Sequence, residues 1–453
     1  MLMDKIFKAY DIRGLYPEEI DEEAVYRISL AFLDFLPTLK GPNNRQIVVG
    51  YDCRLSSLNL FQAVSQALVS QSYDVLDLGL ASTPFFYWAL ISQQAAGGIM
   101  ITASHNPPAY NGLKLHGFNA FPLGGNTGLD KIKEIALVER QKPSAIFHGQ
   151  IKKIDIFDNY IEFLKSKINF QDFRPLKIII DCGNGVMGPE IEKLFKGLSW
   201  EIEILYGEPD GRFPHHEANP SKEENLIDLK RRVKEKKADL GIAFDGDGDR
   251  VAFVDEKGES VRGDFITVLI AQEILKLNPG QKIFYEVRSS RIVPESILAA
   301  GGVPVLGRAG HTLIKVQMRQ EDIIFGGELS GHYFFKELGF VDNPLLALFF
   351  ILKILDSKKM PFSVLVSPLK KYCHSGEINF SVNDIESVLK KVEEKFSAGQ
   401  IKKIDGLTVE FPNWWFNLRP SNTEPLVRLN IEAENEELLA EKKKELELLI
   451  TEK

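Results

Sequence analysis

Along this chain, short apolar runs repeatedly break on a polar, glycine-bearing loop and then give way to helix-patterned sequence. Residues 47–50 lead into Tyr51-Asp52-Cys53-Arg54, residues 98–102 into Ser104, and residues 178–180 into Asp181-Cys182-Gly183-Asn184-Gly185. Residues 240–244 lead into Asp245-Gly246-Asp247-Gly248-Asp249-Arg250, residues 283–287 into Arg288-Ser289-Ser290-Arg291, and residues 323–325 into a loop ending at His332. Strands alternating with helices build βαβ units and mostly parallel sheets. There is no near-identical repeat, so the pattern predicts several similar α/β modules in series. After about Pro368 it changes to strand-like segments at 377–382, 407–411 and 426–433, followed by a charged helix over 434–453. Polar stretches at 149–153, 255–259 and 357–360 mark the expected junctions.

Composition narrows the partners. A formal charge of −8 argues against broad nucleic-acid binding, which needs a basic face. An anionic substrate must then be held by local Lys and Arg against the overall field. Cys53, Cys182 and Cys373 are odd in number and far apart, which fits neither a disulfide framework nor a zinc site. The first residues lack the apolar core of a signal peptide. The longest apolar run, residues 345–355, is interrupted by Lys353 and falls short of the roughly 20 residues that cross a membrane, so it predicts a core helix. The Lys442-Lys443-Lys444 run has Glu neighbours at helical spacing and reads as a solvated helix face. A soluble, cytoplasmic chain is expected, with no membrane and no nucleic-acid partner.

Two clusters carry the chemistry. Asp245, Asp247 and Asp249 alternate, so in an extended segment they point the same way, and Gly246 and Gly248 let the backbone curl until the carboxylates converge. Three like charges repel unless a cation neutralises them, and all-oxygen ligation suits Mg²⁺ or Mn²⁺. The same spacing opens a calcium EF-hand, with Glu256 at its twelfth position. Arg250 stands where that loop needs Gly, and residues 251–254 read as a strand where a helix would be required. Ser104 ends an apolar run and is followed by His105, Asn106 and the Pro107-Pro108 pair. A hydroxyl at a strand's C-terminal end suits a fixed nucleophile, because active sites of open α/β sheets collect there. Taken alone, a loop serine is more often a turn residue or a helix cap.

Other segments are weaker in isolation. Arg419-Pro420-Ser421-Asn422-Thr423-Glu424-Pro425, with Arg428 following, supplies hydroxyls, turn amides and two guanidiniums that fit a phosphate dianion. Such a loop by itself is more often a solvated turn. Glu328, Ser330 and His332 sit on a Gly-flanked loop that could read sugar hydroxyls or form a plain turn. Gly310-His311 and Tyr10-Asp11-Ile12-Arg13-Gly14 carry less on their own.

Together, and in this order along the chain, these segments resemble the α-D-phosphohexomutase superfamily, and most closely its phosphomannomutase/phosphoglucomutase branch. The motifs are the stretch from Phe7 to Gly14, Thr102-Ala103-Ser104-His105-Asn106-Pro107, the Asp245–Arg250 loop, the Gly327–His332 loop and the Arg419–Pro425 loop. The resemblance implies an α/β fold around a central cleft. Three similar α/β domains with mixed, mostly parallel sheets (1–150, 151–254, 255–367) would carry the phosphoserine, the metal and the sugar. A smaller α+β C-terminal domain (368–453) would bind phosphate.

The implied reaction interconverts a hexose 1-phosphate and a hexose 6-phosphate, of mannose or glucose, through a phosphoserine and a hexose 1,6-bisphosphate that also serves as activator. Ser104 would carry the phosphoryl group and, with Asp245, Asp247 and Asp249, ligate one Mg²⁺. Lys114 and Arg250 would steady the transferring group, with His311 and Lys114 assisting proton movement. Tyr10 and Arg13 would line the cleft, and Glu328, Ser330, His332 and Arg288 would face the sugar. Arg419, Ser421, Asn422, Thr423 and Arg428 would grip the non-reacting phosphate. Arg288 stands where close relatives often have Lys, which keeps the charge and changes the hydrogen-bond geometry. A phosphoglucosamine mutase is an alternative, as is a metal-dependent sugar phosphatase using the same serine. A monomer or small homo-oligomer acting on free sugar phosphates is expected.

Overall fold

The computed structural model describes residues 2–138, 149–167, 173–420 and 426–451. The Ser421, Asn422 and Thr423 expectations lie outside the described residues. Four sheets form among them, and the first three share the connectivity of four successive strands, with a fifth antiparallel strand that comes first in the chain in the first sheet and last in the other two. In the first, Gln46–Tyr51 is the central strand. Asp74–Leu80 pairs with it in parallel on one side and Gly97–Ile101 on the other. Tyr110–Gly117 and Ile12–Leu15 then extend the sheet in antiparallel fashion. The second sheet repeats this with Lys177–Asp181 at its centre, flanked by Glu201–Leu205 and Leu240–Phe244, and extended by Val251–Val254 and Ser260–Val261. The third repeats it again around Lys282–Glu286, with Val303–Gly307, Phe325–Gly327, Tyr333–Phe335 and Val341–Asp342. The fourth sheet is antiparallel throughout, in the order Cys373–Ser381, Leu426–Ala433, Trp414–Pro420, Leu407–Glu410, Gln400–Lys402.

The repeated connectivity positions the site. In each of the first three sheets the chain adds one parallel strand on one side of the central strand and then crosses back to add the next on its other side. Ligands of open α/β sheets bind beyond the carboxyl ends of the strands at such a switch point. Asp52-Cys53-Arg54 and Ser104, then Asp181 and the Asp245–Asp249 loop, then Arg288 and Glu328, all lie at those six strand ends.

Local sequence accounts for the elements. The expected strand at 251–254 is present and pairs with Leu240–Phe244, so the metal-loop candidate is a β-hairpin turn and not an EF-hand. Pro344–Lys358 is the expected core helix, capped by the Asn343 side chain. The charged helix spans Glu436–Thr451. The strand expected at 323–325 begins two residues later, at Phe325, and takes in Gly326 and Gly327. A Cβ on Gly327 would lie 1.9 Å from Thr267 Oγ1, and one on Gly326 2.9 Å from Phe284 Cβ. Close packing of Gly327 against the helix Gly263–Leu277 and of Gly326 against the strand Lys282–Glu286 leaves room only for glycine at these positions. Two short edge strands overrun expected junctions: Ile151–Lys153 joins the first sheet, past residue 150, and Ser260–Val261 joins the second, past residue 254. Strands this short have no periodicity to read.

One hydrophobic cluster runs from Val48 through Ile178 and Phe244 to Ile351 and Leu369, so it joins the first three sheets. The C-terminal sheet has its own cluster around Phe416, Leu429 and Leu446. No helix among the described residues is long and apolar enough to cross a membrane.

Candidate active site

Ser104 follows Gly97–Ile101 and is 1% exposed. Its φ of 52° is a conformation that a non-glycine residue adopts only when the surroundings enforce it. The enforcement comes from Arg54. Its guanidinium donates to the carbonyls of Ser104, Asn106, Pro107 and Tyr110 at 2.6–2.9 Å and to Asp52 at 3.0 Å. Thr102 donates its hydroxyl to Asp52 and accepts the Ser104 backbone N–H. Arg13 reaches the same loop. It donates to Asn106 Oδ1 at 2.7 Å and to Asp11 at 2.6 Å, so it buttresses the serine loop at the cleft.

The aspartate loop meets this serine. Ser104 Oγ donates to Asp245 Oδ2 at 2.9 Å although the two are 141 positions apart. Gly246 makes the approach possible, since a Cβ there would lie 2.7 Å from the Ser104 carbonyl oxygen. Gly248 has φ 69° and no room for a side chain, Met187 Sδ lying 2.2 Å from where its Cβ would be. Asp245, Asp247 and Asp249 are buried, and one ligand atom from each lies within 4.8 Å of the others. Lys114 bridges Asp247 and Asp249 at 2.6 and 2.5 Å. Thr83, at the start of the helix Thr83–Ser92, donates to Asp247 Oδ2 at 2.6 Å.

The charge balance fits a cation site. Burial, then the carboxylates of Asp249 and Asp247, push Asp245 well above the ordinary carboxylate range. Asp249 goes the other way: burial would raise it, but Lys114 and His332 hold it well below. Lys114 is raised because its two aspartate partners outweigh its burial. Asp247 Oδ1 is buried with no hydrogen-bond partner. Oxygen-only donors and an orphaned carboxylate oxygen suit Mg²⁺.

The third sheet supplies the opposite wall. His332 Nδ1 lies 2.9 Å from Glu328 Oε2, and its Nε2 lies 3.2 Å from Asp249 Oδ1. Burial alone would lower the imidazole pKa, but Asp249 and Glu328 raise it to about 9. Glu328 falls to about 2: His332 and Arg288 overcome the opposing effect of burial. With the ring charged, both nitrogens donate to carboxylates, so Arg250 Nε, 3.3 Å away, packs beside it as a second cation. His311 contrasts with it. Burial, and then Lys315 and Lys114, hold its pKa well below the usual value, which leaves a neutral ring at the N-terminus of the helix His311–Glu321. Burial, Arg250 and Arg13 likewise keep His105 neutral, with its Nδ1 3.1 Å from Ser104 Oγ.

Tyr10 donates to the Ala309 carbonyl at 3.1 Å and lies edge-on to His311, linking the first and third domains. Arg288 is held by a two-point contact with Glu286 at 2.6 and 2.7 Å and lies 3.5 Å from Glu328. The Ser330 hydroxyl lies 3.0 Å from His332 Nδ1. Arg419 and Arg428 face Glu377 at 2.8 and 3.3 Å. A cavity of about 220 Å³ lies between the third and fourth domains, lined by Arg262, Arg288, Ser330, His374, Glu377 and Trp415 among others. The structure therefore gathers Ser104, Lys114, Arg250, His311, His332 and the three aspartates. Arg288, Glu328 and Ser330 stand beside them, with Arg419 and Arg428 across the cleft. Sequence reasoning assigned no role to Asp52, Arg54, Thr83, Glu286 and Glu377, whose further contacts come from distant parts of the chain.

The comparisons agree with this architecture. Four successive profiles match: phosphoglucomutase/phosphomannomutase alpha/beta/alpha domains I, II and III at residues 4–142, 158–258 and 262–372, and the C-terminal domain at 377–449. The chain is 40% identical over 447 residues to a phosphomannomutase of Methanocaldococcus jannaschii, covering 98% of this chain and 97% of that one. It is 38% identical over 444 residues to a phosphomannomutase of Escherichia coli K12, with 96% of each covered. A crystal structure of a phosphoglucomutase/phosphomannomutase family protein from Burkholderia thailandensis superposes with a TM-score of 0.89 at 33% identity, over 99% of this chain and 98% of that one. The chain belongs to the phosphoglucomutase/phosphomannomutase family and is a phosphotransferase mutase.

Proposed function

We propose that this enzyme interconverts the 1- and 6-phosphates of mannose or glucose through a phosphoserine at Ser104 and a hexose 1,6-bisphosphate. The observation that carries this reading is the 2.9 Å approach of Ser104 Oγ to Asp245 within the buried aspartate loop. Asp245, Asp247 and Asp249, with a phosphoryl oxygen on Ser104, would hold one Mg²⁺. That ion, when bound, offsets the negative charge of the transferring group.

The protein's own groups do the rest. Phosphoryl transfer needs positioning and charge neutralisation more than covalent assistance. Lys114 and Arg250 flank the aspartate loop and steady the phosphoryl group. His311, held neutral, takes the proton of the attacking sugar hydroxyl as the new O–P bond forms and the bond to Ser104 Oγ breaks. His332, placed between Asp249 and Glu328, fixes Glu328. Glu328, Ser330 and Arg288 face the sugar hydroxyls. Arg419 and Arg428, together with Ser421, Asn422 and Thr423, grip the phosphate that does not react, while Tyr10 and Arg13 line the cleft. The bisphosphate then reverses within the cleft, and its other phosphoryl group returns to Ser104. Activation by added bisphosphate, a cytoplasmic location and a monomer or small homo-oligomer belong to the same proposal.

The test is to incubate the enzyme with mannose 1-phosphate or glucose 1-phosphate and follow both the 6-phosphate isomer and inorganic phosphate. Isomer formation without phosphate release is expected. Phosphate release without isomer would overturn the proposal in favour of a phosphatase.

A further inference from the structure

Glu377 lies on the strand Cys373–Ser381, outside every motif that stands out in the sequence, yet its carboxylate meets three guanidiniums. Oε2 is 2.8 Å from Arg419 Nη2, and Oε1 is 3.3 Å from Arg428 Nη1. Arg288 Nη1, from the third domain, approaches Oε2 at 3.9 Å.

The sheet register explains why a carboxylate belongs there. Arg419 and Arg428 are direct cross-strand partners, and like charges directly opposite each other repel. On the far side of Arg428 its partner is Asn379. Glu377, two residues before Asn379, therefore shares the face of Arg428 and stands diagonal to it. Three guanidiniums thus face the carboxylates of Glu377 and Glu286. Arg419 is 7% exposed, and its Nε is buried without a hydrogen-bond partner. Glu377 thus holds one edge of this guanidinium.

We propose that Glu377 is a positioning residue for the substrate's phosphate, gathering Arg288, Arg419 and Arg428 into one cluster before the phosphate arrives. The proposal rests on the reading of Arg419 and Arg428 as the phosphate grip. Holding like charges together in advance removes an ordering cost from the binding step. It also links the phosphate grip to the sugar wall, because Arg288 touches Glu286, Glu328 and Glu377 at once.

The experiment uses the full-length enzyme with mannose 1-phosphate as substrate and inorganic phosphate as competitive inhibitor. The variants are Glu377→Gln, Glu377→Asp and Arg419→Gln. Loss of a charge-assisted contact predicts that Glu377→Gln raises both KM and the phosphate inhibition constant by about tenfold, with a much smaller fall in kcat. Glu377→Asp, which keeps the charge, should recover part of the loss. Unchanged or tighter phosphate inhibition in Glu377→Gln, beside a weakened Arg419→Gln, would overturn this proposal alone. So would a fall in kcat with KM unmoved. If Arg419→Gln itself leaves phosphate inhibition unchanged, the phosphate-grip reading fails and takes the proposal with it.

Discussion

Arg54 provides the sharpest test of how Ser104, the proposed nucleophile, is held. The substitution is Arg54→Lys, which keeps the charge but replaces a planar five-donor fork with one ammonium carrying three donors. The guanidinium serves five acceptors: the carbonyls of Ser104, Asn106, Pro107 and Tyr110, and the Asp52 carboxylate. At least two of these must lose their partner. Arg54 is 2% exposed, so water cannot readily replace the lost bonds. At about 1–3 kcal/mol for each buried group left unsatisfied, the variant should lose about 2–6 kcal/mol of stability. The catalytic effect follows from geometry, because a displacement of about 1 Å at a reacting group can cost on the order of 100-fold in rate. Urea unfolding with steady-state kinetics would measure both, and intact mass after incubation with glucose 1,6-bisphosphate would report phosphoserine formation. A variant that loses stability yet keeps kcat within twofold of the parent would show that Arg54 braces the fold without positioning Ser104.

Other substitutions test the rest of the site. Ser104→Ala should lower turnover by at least about a thousandfold, as loss of a covalent nucleophile does; substantial residual mutase activity would remove Ser104 from its role. Asp247→Asn should raise the Mg²⁺ concentration needed for half-maximal activity, and a parent enzyme fully active in chelator would contradict the cation site. Glu190, on the helix Gly188–Phe195, is lifted by burial to about 8, against roughly 4.3 in an unfolded chain. The folded state therefore binds this proton more tightly. The contribution is fully present below about pH 4.3 and is lost as pH rises through about 8. Glu190→Gln should flatten the decline in stability between about pH 5 and pH 8 by a few kcal/mol, read from urea midpoints; parallel pH profiles for variant and parent would refute this.

The parts of the site that were legible in the sequence are those whose chemistry compresses into a few consecutive residues. Three aspartates spaced by glycines force a question about charge, and a serine at the end of an apolar run forces one about geometry. The repeated run–loop–helix pattern likewise pointed to several related modules, because parallel strands buried on both faces read as continuous apolar stretches. What escaped notice is distributed. Arg54 acts on a loop about 50 positions away, Thr83 on Asp247 more than 160 positions away, and Glu377 on arginines from two domains. Each is one ordinary polar residue whose meaning depends on tertiary proximity. Arg13 shows the same limit: the resemblance implied that it lines the cleft, and nothing in the sequence signalled its hydrogen bonds to Asp11 and the serine loop.

The partition of the hydrophobic cores has a consequence for how a bulky intermediate could reverse end for end without escaping. The three modules that hold the serine, the aspartates and the sugar wall are fused through shared apolar packing, whereas the C-terminal sheet packs on itself. Tilting that last unit breaks mainly polar contacts such as those of Arg291 and Glu377, which water can replace. Separating any of the others would expose buried carbon. The soft joint and the stiff joints therefore fall in different places: the last unit can tilt while the three fused modules keep their alignment.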